Sequence, residues 1–348
     1  MQKIGFVVSP NGFGQIKRVL VVSRVIYELA ENTNITIHYP ELAFNKLLKL
    51  NGFGFRDVIK KSNFLFEFME NAPTWNNRKF DDYDQYSDWG EKICSFVRIQ
   101  KYDLIISDNY LLPFRDQNFI LMGSFIWGLL LNPTNHTHKK IIDEELKSIS
   151  QKYDILCLKE FVMPQIKQIL NPIELPFFCD IKPQLNHNIQ NAKLTVLITG
   201  GGTTNSDSKL TEITKLLNKG NNCIIYLDEK LFKLNNIADF SLFSYKEEDY
   251  KKIDLIICRP GIGIITESIE YNIPIFPILE VGNKELLHNA KRIELLGMGK
   301  IITHSSEIIR SDIFAKNHLK RYRENIIKFD VGGHIIAAKY ILNKIRHE

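Results

Sequence analysis

An α/β fold of two Rossmann-like domains is what the chain predicts, and three observations predict it. Short apolar runs alternate with longer amphipathic ones along most of the 348 residues. The alternation restarts near residue 193, after a stretch rich in proline and asparagine. Each half sets a glycine-rich turn directly after its first apolar run, at 12–14 and at 200–202. A chain of this length is about two domains.

KIGFVV (3–8) reads as a strand and KRVLVVSRVIYELAE (17–31) as a helix with one apolar face. ITIHY (35–39), YDLIISD (102–108), FILMGS (119–124) and DILCLKE (154–160) read as further strands, the last closing the first half. Residues 63–100 are aromatic and acidic and carry no clear period. In NPIELPFFCDIKPQLNHNIQNAK (171–193), prolines at 172, 176 and 183 break any regular pattern, as a linker would. The second half runs KLTVLITGGG (strand and glycine loop), SKLTEITKLLNKG (helix), NCIIYLD (strand), DLIICRPG (strand and turn), IITESIEYN (helix) and IPIFPIL (strand). GGHIIAAKYILNKI (332–345) is a strong amphipathic helix. Near-continuous apolar strands separated by helices point to parallel sheets covered on both faces. The expected division is 1–172, a linker at 173–192, 193–331, and a final helix 332–348, with a ligand cleft between the two domains.

Composition excludes several classes. The net charge of +5 is too small for a nucleic-acid-binding arm and suits an anionic small ligand or loose contact with an acidic membrane surface. The five cysteines, at 94, 157, 179, 223 and 258, form no CxxC pair and read as reduced thiols. FILMGSFIWGLLL (119–131) is the most apolar window and falls short of the ~18 residues a membrane span needs. His136 and His138 and the acidic FDDYDQYSD (80–88) read as solvated loops rather than metal ligands.

The glycine turns carry the chemistry. In VLITGGGTTNS, Gly201 and Gly202 let backbone approach a phosphate, and Thr203 can donate to it; a plain tight turn explains them equally. DLIICRPGIGIITESI is more informative. A buried strand leads through Arg259 and a Pro-Gly turn into a helix whose first N–H groups Gly261 and Gly263 leave open. Helix dipole, N–H groups and guanidinium together suit an anion. Glu267, one turn on, can accept two hydrogen bonds from the vicinal hydroxyls of a ribose. Asp108 ends a buried strand at the sheet edge, where it reads either as a base or as a cap of the next turn.

These motifs resemble the GT-B glycosyltransferases, in particular the group that includes the lipid II N-acetylglucosaminyltransferase. The resemblance rests on Gly200–Thr203, on CRPGIGIITES and on IPIFPILEVGNKELLHNA, and covers residues 3–30 and about 193–300. It implies that Gly261, Gly263 and Ile264 hold a diphosphate, Glu267 a ribose, and Glu285 the sugar hydroxyls, beside Asn289. Leu286 departs from the family's glutamine. GFGQIKR (12–18) is similar to the loop of the nucleotide-sugar hydrolase of pseudaminic acid synthesis, so that Gly12, Gly14 and Lys17 would make room for and contact substrate. Gln15 stands where relatives carry histidine; an amide cannot take a proton but can bind substrate.

The implied activity is transfer of a sugar, from a UDP-linked donor, to the hydroxyl of a glycan or lipid-linked acceptor. It would be inverting and independent of metal or cofactor, with Asp108 as base, in bacterial surface glycan synthesis. The implied place is the cytoplasm or the inner face of the membrane, and GFGFRDVIKKSNFLF (52–66) is either a contact for a lipid-linked acceptor or ordinary core. A hydrolase or epimerase of the same fold, or a binding subunit without catalysis, are the alternatives.

Overall fold

A computed structural model describes residues 2–8, 13–49, 64–69, 92–97, 100–109, 118–125, 140, 143, 147, 154–169, 172–180, 193–201, 206–220, 223–235, 239–280, 282–310 and 314–346. Gly12, Gly202, Thr203, His136, His138, the acidic stretch 80–88 and most of 52–66 lie outside them. The described residues form two compact units, one running to Phe178 and resuming at Gly332, the other from Cys179 to Val331.

In the first unit, β1 (Gln2–Val8), β2 (Thr33–Pro40), β3 (Leu65–Met69), β4 (Leu104–Asp108), β5 (Phe119–Met122), β6 (Asp154–Leu158) and β7 (Ile173–Leu175) form a parallel sheet. Their order is β3-β2-β1-β4-β5-β6-β7. The order reverses between β1 and β4, the switch point at which such sheets bind ligands. Residues 4–8 of β1 and all of β4 are buried as continuous runs, as strands at the centre of a parallel sheet are. α1 (Phe13–Leu29) starts ahead of the basic pair, and buries Ile16, Val19, Leu20, Val22, Val25 and Ile26 at helical spacing. α2 (Glu41–Lys49) and α3 (Pro164–Ile169) follow. β3 lies in the unassigned stretch and β7 inside the stretch expected as linker.

In the second unit, β8 (Leu194–Thr199), β9 (Cys223–Leu227), β10 (Ser241–Leu242), β11 (Leu255–Cys258) and β12 (Ile275–Pro277) are parallel in the order β10-β9-β8-β11-β12. The helices are α4 (Asp207–Lys219), α5 (Glu229–Asn235), α6 (Glu247–Tyr250), α7 (Ile262–Glu270), α8 (Lys284–Leu295), α9 (Glu307–Arg310) and α10 (Lys316–Ile326). Val196 and Ile198 of β8, Leu255 and Ile257 of β11, Phe276 of β12 and Leu210, Ile213 and Leu217 of α4 build its core.

The final helix α11 (Gly333–Arg346) belongs to the first unit and packs on α1. Its start is pinned by the Gly333 amide donating to the Phe177 carbonyl at 2.8 Å. A Cβ at Gly333 would lie 2.1 Å from the Pro176 carbonyl oxygen, so only glycine permits this approach.

His38 of β2 is fully buried, with its Nε2 2.9 Å from the Tyr102 hydroxyl, and burial holds its imidazole down to about 4. The folded state thus favours neutral His38, and the stability this contributes is present above pH 6.5 and lost as pH falls toward 4. Asp108 is shifted the opposite way, so the two partly cancel in the native chain. His38→Gln keeps a hydrogen-bonding group and removes the titration. Relative to the native chain it should gain stability progressively between pH 7 and 4, by up to about 3 kcal/mol. Urea unfolding across that range reads this difference, and parallel profiles would contradict the assignment.

Candidate functional site

The site is built at the carboxyl edge of the second sheet, where β8 and β11 lie side by side and the strand order reverses. β8 ends in Thr199, and Gly200 and Gly201 follow, the latter at φ 67°, a backbone that glycine adopts without strain. Asp228, at the end of β9, accepts from the Gly200 amide (2.7 Å) and from the Leu231 amide of α5 (2.8 Å). The turn is thereby tied to the neighbouring strand, and the Gly200 amide is already used.

β11 ends in Cys258, and Arg259 and Pro260 turn the chain into α7. Gly261 is the helix N-cap, extended at φ −74° and ψ 153°, and no side chain caps the helix. Its carbonyl accepts from the Ile265 amide at 3.2 Å. The amides of Ile262, Gly263 and Ile264 are those a helix leaves without an intrahelical partner. A Cβ built on Gly261 would meet nothing among the described residues within 4 Å. Neither backbone strain nor internal crowding requires glycine there, whereas a ligand laid against the helix start would. The turn is held from behind by Asn289 of α8, a buried residue whose Nδ2 donates to the Pro260 carbonyl at 3.0 Å.

Arg259 is mostly buried, and its Nε donates to Glu280 Oε2 at 2.8 Å. The same oxygen accepts from the Ser206 hydroxyl at 2.8 Å, linking the starts of α4 and α7 to the segment after β12. Glu267 is buried at 4% exposure, one turn below the open amides. Its Oε2 accepts from the Tyr250 hydroxyl at 2.5 Å. Glu285 is half-buried in the first turn of α8, whereas Leu286 is fully buried. The leucine fills core.

Among the expected residues, Gly201, Arg259, Gly261, Gly263, Ile264, Glu267, Glu285 and Asn289 all lie on the loops and helices of this one edge. Asn289 supports the turn rather than exposing its amide, and Tyr250 is a member that sequence reasoning missed. The first unit is different. Gly14, Gln15 and Lys17 lie half-buried at the start of α1. Asp108 is fully buried, and Arg18 grips both its oxygens, Nη2 at 2.7 and 2.8 Å and Nε at 3.0 Å. Burial pushes the carboxyl up to about 6 while the guanidinium pulls it down. The carboxylate is enclosed as the ion-pair partner of Arg18. Among the described residues no group of three or more His, Cys, Asp or Glu side chains is placed to hold a metal ion, and no helix is long and apolar enough to cross a membrane.

No protein-family model matches the chain, and no curated protein sequence does. Solved structures do. A glycosyltransferase of kitacinnamycin is similar at a TM-score of 0.63 and 12% identity, covering 99% of both chains. The calicheamicin glycosyltransferase CalG4 is similar at 0.63 and 11%, covering 99% of this chain and 98% of the other. The Streptomyces sp. SF2575 glycosyltransferase SsfS6, complexed with thymidine diphosphate, is similar at 0.59 and 12%, covering 99% and 100%. The fold is the GT-B fold of these glycosyltransferases.

Proposed function

We propose that the chain transfers a sugar from a nucleotide-sugar donor to an acceptor hydroxyl, with the donor's diphosphate seated on the start of α7. The observation that carries this reading is the uncapped helix start at the sheet's switch point, with no described residue over Gly261. As the bond to the anomeric carbon breaks, negative charge grows on the leaving diphosphate. Fixed amides and a helix dipole stabilise that charge without having to reorient. Arg259 adds a positive charge beside them, partly balanced by Glu280. Glu267 takes the ribose. The thymidine diphosphate bound by the SsfS6 neighbour supports a nucleotide at this fold.

The resemblance to the lipid II group supports a UDP-linked donor, inversion at the anomeric carbon and a glycan or lipid-linked acceptor of the bacterial surface. Gln15 orients that acceptor by hydrogen bonding, and no metal or cofactor takes part. The cysteines form no disulfide among the described residues, which suits the reducing cytoplasm, free or at the inner face of the membrane.

A thermal-shift panel of UDP-, GDP-, CMP- and dTDP-sugars tests the reading, followed by turnover of the sugar that binds. One nucleotide class should raise the melting temperature, and nucleoside diphosphate should be released only with an acceptor present. Glu267→Gln should weaken donor binding about tenfold, the worth of one hydrogen bond to a charged group. Free sugar released without an acceptor would mean hydrolysis instead, and no shift with any nucleotide sugar would overturn the proposal.

A further inference from the structure

Tyr250 and Glu267 are 17 residues apart, yet the phenol donates to the carboxylate at 2.5 Å in a buried setting. The phenol is clamped from two sides. Its ring stacks on Tyr271, with centroids 4.3 Å apart and planes 4° from parallel, and Phe243 packs edge-on at 5.0 Å. Burial raises the Tyr250 pKa well above its ordinary value, so the phenol keeps its proton and remains a donor. A glutamate side chain has three rotatable bonds, and fixing one of its oxygens removes most of that freedom. The carboxylate is thus set in one orientation before any ligand arrives, and preorganisation of this kind raises selectivity as well as affinity.

On the reading that Glu267 faces the ribose, we infer that Tyr250 is a positioning residue that makes the site select ribonucleoside over 2′-deoxyribonucleoside diphosphates. A fixed carboxylate accepts from the 2′- and 3′-hydroxyls together, whereas a loose one settles for the 3′-hydroxyl alone. A ribonucleotide thereby gains one charge-assisted hydrogen bond over its 2′-deoxy analogue. The selection concerns this chain's own aromatic clamp and is separate from the diphosphate seat at Gly261.

The test compares binding of UDP with 2′-deoxy-UDP, and of GDP with 2′-deoxy-GDP, to the full chain and to Tyr250→Phe, Glu267→Gln and the double variant. Inorganic pyrophosphate reports the diphosphate seat alone. The native chain should prefer the ribonucleotide by about tenfold, one charge-assisted hydrogen bond. Tyr250→Phe should shrink that ratio severalfold and leave pyrophosphate binding unchanged, an effect that a general loosening of the fold would not produce. The double variant should lose no more than Glu267→Gln alone, since both act through one carboxylate. A ratio in Tyr250→Phe equal to the native one, or a native chain indifferent to the 2′-hydroxyl, overturns the inference while leaving the donor site standing. A native chain that binds only a 2′-deoxyribonucleotide likewise overturns the inference alone, whereas failure to bind any nucleotide of the thermal-shift panel overturns the donor reading itself, and the inference with it.

Discussion

Arg18→Met is expected to lower the stability of the first unit by about 3–5 kcal/mol, because it strands the Asp108 carboxylate in the interior. The native pair is bidentate and almost wholly excluded from water, with Arg18 8% and Asp108 0% exposed. It joins α1 to the end of β4, which places it beside the first sheet's switch point between β1 and β4. Tyr39, also fully buried, feels the Asp108 charge and has its phenol pushed up further for that reason. Removing the cation alone leaves that charge with neither water nor a partner. Replacing both, as in Arg18→Met with Asp108→Leu, should restore most of the loss, since paired apolar groups can replace a buried ion pair at little cost. Urea unfolding of the two variants decides it. A mild effect of Arg18→Met would mean that Asp108 finds water or another donor.

Gly261→Val should leave the fold intact and weaken nucleoside diphosphate binding by about 100-fold, the worth of roughly two charge-assisted hydrogen bonds. The backbone there is extended, a conformation open to every residue, and no described residue stands within 4 Å of an added Cβ. The melting temperature of the ligand-free variant should therefore match that of the native chain. Loss of binding at unchanged stability separates an occupied cradle from a structural glycine. A destabilised variant, or one that binds normally, would show that the glycine serves the turn and not a ligand.

The sheets were legible wherever a strand is buried on both faces. Residues 196–198 and 255–258 are short apolar runs followed by glycine-rich and Arg-Pro-Gly turns, and hydrophobicity with turn chemistry suffices to read them. β7 was hidden because three residues between Pro172 and Pro176 look like linker until β6 supplies hydrogen-bonding partners. α1 starts at Phe13, because Phe13 to Ile16 continue its helical spacing ahead of the basic pair that seemed to open it. In the site, Gly261 and Glu267 were visible because a helix start and its first turns lie within ten residues of sequence. The pairings that decide their chemistry were not. Arg18 meets Asp108 across 90 residues, and neither local sequence shows that a guanidinium grips both carboxylate oxygens. Tyr250 lies in a short acidic helix whose sequence carries no sign of the carboxylate it serves.

The most direct measurement of the central claim is hydrogen–deuterium exchange of the intact chain, with and without the nucleoside diphosphate that the thermal-shift panel selects. A diphosphate bound by bare amides predicts slowed exchange at Ile262, Gly263 and Ile264, and no such slowing in Gly261→Val. Tight binding with unchanged exchange across residues 261–267 would contradict the claim and place the nucleotide elsewhere in the molecule.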